Sequence, residues 1–68
     1  MTFEEFDRQL GPLMSGEAWG AWRTAVREVT GQPLRGTTIY HLQVHWDLIT
    51  EEDKIRLVAV RLMLTRNT

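Results

Sequence analysis

The sequence predicts an all-α fold, a small bundle of three to four short helices in one domain spanning residues 1–68. Three observations carry this expectation. Ser or Thr residues stand at N-cap positions ahead of four segments. Apolar residues recur at helical spacing within those segments. Gly11-Pro12, and Gly31 with Pro33, punctuate the chain between them.

The first segment opens with Thr2-Phe3-Glu4-Glu5, a capping box with Thr2 at N-cap and Glu5 at N3. Phe3, Phe6 and Leu10 follow at helical spacing until Gly11-Pro12 ends the helix, and Leu13 and Met14 are expected to pack beneath the break. Ser15 caps a second helix over about 16–30, with Glu17 at the positive end of its dipole. Trp19, Trp22, Val26 and Val29 form its apolar stripe, which assigns Trp19 and Trp22 to the core. Gly20, Arg23, Thr24, Arg27 and Glu28 take the opposite side, and Gly31 supplies the left-handed residue that ends the helix.

Segment 37–49 reads two ways. Tyr40, Leu42, Val44, Trp46 and Leu48 alternate with polar residues, which is a strand pattern. Ile39, Leu42, Trp46 and Ile49 also fit one helix face, with Thr38 as the cap. No second strand is evident, so helix is favoured, and a strand paired between two chains is the alternative. Thr50 caps the last helix, and Glu51, Glu52 and Asp53 fill its first turn. From Ile55 to Leu64 eight of ten residues are apolar. Ile55, Val58, Ala59 and Leu62 lie on one face and Leu57, Val60 and Leu64 on another. A helix apolar on two faces has to be covered on both. The sequence therefore points to a homodimer or a hydrophobic partner groove, with Leu57, Val60 and Leu64 at the interface.

Composition narrows the function classes. The chain has no Cys, so disulfides and thiolate metal sites are absent, and a reducing, cytosolic setting is expected. Met1 opens the chain without a signal peptide, and a complete small gene product is the expectation. No apolar run reaches the roughly 18–20 residues of a membrane span. Eight basic against nine acidic residues give a net charge of −1, where a free-standing nucleic-acid binder shows a basic excess. Seven of the eight basic residues are Arg, able to make forked hydrogen bonds to carboxylates or phosphates.

No cluster announces catalysis. His41 and His45 at i, i+4 share a helix face, but a zinc site needs more ligands than this pair, so neither metal nor cofactor is expected. The helix dipole accounts for Asp47, Glu51, Glu52 and Asp53, which could also face a basic partner. Ser15 is a cap, and Gly-rich phosphate loops and Ser-His-Asp contexts are missing. The expected function is non-enzymatic: a small cytosolic regulator or inhibitor, of the phage or mobile-element effector type, that occludes a partner protein. Tyr40, His41, His45, Trp46, Arg23, Arg27, Glu51 and Glu52 are its expected contact residues, chosen because aromatics and Arg anchor interfaces. The alternative is a dimeric DNA-binding regulator. Residues 19–49 have the outline of a helix-turn-helix, and Thr37-Thr38-Ile39-Tyr40-His41-Leu42 resembles the opening of a winged-helix recognition helix over those six residues.

Overall fold

A computed structural model describes residues 1–11 and 14–66. Pro12 and Leu13, and with them the expected packing of Leu13, lie outside the described residues. Four helices follow in order: α1 (Phe3–Arg8), α2 (Gly16–Thr30), α3 (Thr38–His45) and α4 (Glu51–Arg66), with a 3-10 turn (Trp46–Leu48) joined directly to α3. There is no strand among the described residues.

The same device starts every helix. A Thr or Ser hydroxyl accepts from the amide three residues on: Thr2 from Glu5 at 3.1 Å, Ser15 from Ala18 at 3.3 Å, Thr37 from Tyr40 at 3.2 Å and Thr50 from Asp53 at 3.1 Å. Each such cap contributes about 0.5–2 kcal/mol. The cap of α3 is Thr37, one residue before the position expected, and Thr38 is buried instead. Gly31 closes α2 at φ 67°, where glycine alone is unstrained, and its amide donates to the Arg27 carbonyl at 2.9 Å.

Exposure decides between the two readings of segment 37–49. A strand would put Tyr40, Leu42, Val44, Trp46 and Leu48 on one face. Leu42 and Trp46 are 0% and 7% exposed, whereas Tyr40, Val44 and Leu48 are 60%, 57% and 78% exposed. The buried set Thr38, His41, Leu42 and Trp46 has helical period. Ile39, expected on the inner face, points outward for the same reason.

The core is an aromatic and aliphatic cluster of Phe6, Leu10, Trp22, Val26, Leu42, Trp46, Ile49 and Leu57. Phe6 is its centre, with its ring centroid 6.3 Å from Trp22 and 4.9 Å from Trp46. Phe3 meets Trp46 edge-on at 5.5 Å. Met14 packs against this cluster from the α1–α2 connection. α2 packs against both α4 and α3.

The rotation of α4 corrects the sequence reading. Lys54, Leu57 and Arg61 form its buried face, and Val58, Val60 and Leu64 pack half-buried against the core. Leu57, expected at a dimer interface, is fully buried within the protomer, and Val60 and Leu64 lean on the same core. The cause is aromatic. Lys54 Nζ sits 4.7 Å over the Trp46 ring, and the Arg61 guanidinium carbon lies 5.2 Å over Trp22 and 5.7 Å over Trp19. Long cationic side chains lay their stems on the core and their heads on ring faces, so charge occupies the inner side. Ile55, Ala59, Leu62 and Met63 are left on the outer side.

Candidate interaction surfaces

Among the described residues, three surfaces stand out once the core is closed. The first is the outer side of α3 and its 3-10 turn. Tyr40 and Val44 stand one turn apart, and Leu48 follows. Beside them Arg35, Tyr40, His41, Val44 and His45 line a hollow of about 190 Å³. His41 forms its floor and is only 3% exposed. Its Nε2 lies 2.9 Å from the Thr30 hydroxyl, which also donates to the Arg27 carbonyl at 3.3 Å. The donor in this pair follows the imidazole tautomer. The His41 and His45 rings are 4.6 Å apart between centroids, so the shared helix face read from their spacing is present.

Burial holds the His41 pKa below its ordinary value of 6.5, and His45 beside it pushes the same way. The unfolded chain therefore takes up this proton first. Stability from neutral His41 is present above about pH 6.5 and is lost as pH falls below that value toward the folded pKa. Arg35 and His45 are the other basic groups that line the hollow. The melting temperature is expected to drop between about pH 7 and about pH 5, and His41→Asn to flatten that drop. An equal drop in both proteins would assign it to other groups.

The second surface is on α2. Gly20, Arg23, Thr24 and Arg27 follow one another along its outer side and, with Leu34 from the connector, line a hollow of about 210 Å³. Arg23 and Arg27 are exposed, and neither is paired with a carboxylate among the described residues. Two local choices here work against the helix. Glycine within a helix costs about 1 kcal/mol relative to alanine. Like charges at i, i+4 cost about 0.2–0.5 kcal/mol.

The third surface is the outer row of α4, where Ile55, Leu62 and Met63 are 59%, 49% and 58% exposed around the small Ala59. Arg66 ends the row.

Several expected contact residues are committed elsewhere. Trp46 is a core residue, and its indole N–H donates to the Met1 carbonyl at 3.3 Å. Glu51 accepts from the Met1 amino group at 3.1 and 3.0 Å and from Lys54 at 3.3 Å. Those contacts, first the amino group and then Lys54, hold its carboxyl below the usual range. Glu52 stays exposed and His45 half-buried. Trp19, expected in the core, is 40% exposed and covers one side of Arg61. The sequence reading named Ile55, Ala59 and Leu62 as one face of the last helix but put the interface on the other, and it set Gly20 beside Arg23 and Arg27 without giving it a role. Gly20 had a visible signal, a helix-interior glycine beside two arginines.

Among the described residues no group of three His, Asp or Glu side chains converges to hold a metal ion, and no helix is long and apolar enough to cross a membrane. The Ser15 hydroxyl is occupied as the cap of α2. The surfaces present an aromatic and aliphatic ridge, an arginine-flanked hollow and an apolar helix row. No protein-family model, curated protein or solved structure matches the chain.

Proposed function

We propose that this chain is a small non-enzymatic regulator that binds a protein through the outer side of α3 and blocks that partner by covering its working surface. The exposure of Tyr40, Val44 and Leu48 at 60%, 57% and 78% carries the reading. The core closes without these side chains, and they lie on a helix, where an apolar ridge fits a groove of a partner. Tyr40 supplies area and a hydroxyl, and Arg35 stands at the rim. A cysteine-free chain suits a reducing compartment, and the cytoplasm is the proposed setting.

The row on α4 extends the reading to self-association. Ile55, Leu62 and Met63 flank Ala59, whose small side chain lets a second helix come close, and a second copy of the chain presents the same apolar row in return. A homodimer through this outer face replaces the one expected through Leu57.

The outward residues of α3 favour a protein over DNA. Ile39, Tyr40, Gln43 and Val44 offer base edges one amide and no cation. The connector 31–37 is also longer than the roughly three or four residues of the compact helix-turn-helix turn. The test is capture from native lysate by the natural chain and by a Tyr40→Asp/Val44→Asp variant with an unchanged melting curve. One defined protein held by the first and lost by the second is the expected result. The same protein held equally by both would move the contact off α3, and captured nucleic acid would favour the DNA-binding alternative.

A further inference from the structure

We infer that the hollow lined by Gly20, Arg23, Thr24 and Arg27 on the outer side of α2 seats a carboxylate-bearing segment of a protein partner. The inference rests on the protein-binding reading above and adds the chemistry of what is bound.

The fold itself has no use for glycine at position 20. The residue sits inside α2 with an ordinary helical backbone, since positive φ among the glycines is confined to Gly11, Gly31 and Gly36. A Cβ built there meets no neighbouring atom within 4 Å. The missing side chain is therefore not demanded by packing, and its absence leaves the helix surface open to close approach. On that same side Arg23 and Arg27 repel one another across one turn. Two local choices that weaken an isolated helix thus coincide at one exposed spot, which is where a functional site is expected to break local rules. A carboxylate entering the hollow turns both to advantage. Each guanidinium offers a planar fork of N–H donors, and the bare backbone at Gly20, one turn before Arg23, leaves room beside them for the segment that carries the anion. Leu34, on the wall of the hollow, covers an apolar neighbour of that carboxylate.

Charge complementarity selects an acidic protein segment over a nucleic acid. The site offers two cations, whereas a duplex presents a continuous row of phosphates that has to be matched over many contacts. Glu17 and Glu28 stand toward the two ends of the same helix, and the chain as a whole carries a net charge of −1. A single carboxylate meets only the arginines, while a long polyanion meets the acids as well.

The experiment is a titration of the isotope-labelled chain with a blocked peptide that carries one Glu beside an apolar residue, and separately with inorganic phosphate and with a DNA duplex, followed by NMR. The peptide is expected to move the Gly20 and Thr24 amides and the Nε–H signals of Arg23 and Arg27. Arg23→Gln/Arg27→Gln, exposed positions that leave the core intact, is expected to weaken peptide binding about tenfold or more. Gly20→Ala is expected to raise the melting temperature by about 4–8 °C while weakening the peptide. That opposition is a readout no merely structural role for glycine would give. Peptide shifts absent from these residues, tighter binding of DNA or phosphate than of the peptide, or unchanged binding by Gly20→Ala would each overturn the inference. Should the arginine variant still hold the natural partner as firmly as the parent does, the acidic seat falls while the protein-binding reading stands.

Discussion

Leu57→Asp is expected to abolish folding. Leu57 is 0% exposed at the centre of the inner face of α4, between Lys54 and Arg61. Removing a buried leucine costs about 2–5 kcal/mol in lost transfer and cavity energy alone. The aspartate adds the cost of a carboxyl group in an apolar site, whether it stays charged or takes up a proton. A core of this size supplies roughly 3–5 kcal/mol in net stability, so the sum exceeds what the fold holds. Far-UV circular dichroism should show the helical signal lost and no cooperative melt. Ile55→Asp, two positions earlier, is the contrast. Ile55 is 59% exposed, and an exposed substitution of this kind shifts stability by about 0.5 kcal/mol or less. That variant should keep its helical signal and a cooperative melt and run at 7.9 kDa, while the parent runs near twice 7.9 kDa. A parent that already runs as a single chain would remove the homodimer and leave the Leu57 result in place. A folded Leu57→Asp would contradict the rotation of α4.

Trp46→Ala is expected to remove most or all of the stability. The ring is 7% exposed, touches Phe6 at 4.9 Å and Phe3 at 5.5 Å, and carries Lys54 4.7 Å above its face. Its N–H ties the chain start to the 3-10 turn through Met1. Truncating a buried tryptophan costs about 3–5 kcal/mol, the same size as the net stability of such a core. Tyr40→Ala, at 60% exposure, should cost about 0.5 kcal/mol or less. Urea unfolding of the two variants beside the parent measures the difference. Similar losses in both would show that Tyr40 shares the core, and a near-native Trp46→Ala would return Trp46 to the surface.

Much of the fold was legible because the signals were local. Thr2, Ser15 and Thr50 each cap the helix expected of them, and Gly31 ends α2 as glycine at that place should. Thr37 and Thr38 are the same residue type in adjacent positions, so composition could not choose the cap, and choosing Thr38 went with turning Ile39 inward. The rotation of α4 was not legible for a deeper reason. Arg61 breaks an apolar run and reads as a solvent-facing residue, yet its position is set by the rings of Trp22 and Trp19, about forty residues away in sequence. The bond between His41 and Thr30 likewise crosses the α2–α3 connector, and nothing in either residue's neighbours announces it. Tyr40, His41 and Trp46 were all expected outside through their residue types; Tyr40 is exposed, whereas His41 and Trp46 are buried. Only the three-dimensional packing separates an aromatic that fills the core from one left for a partner.

The outer side of α3 is the surface proposed to contact another protein. A photoreactive residue at position 44 in place of Val44, activated in the cell that natively makes the chain, tests this most directly. One defined adduct with a protein other than the chain itself, absent when the same group stands at exposed Glu52, is the expected result. Adducts only with nucleic acid, or none from position 44 in a folded chain, would contradict it.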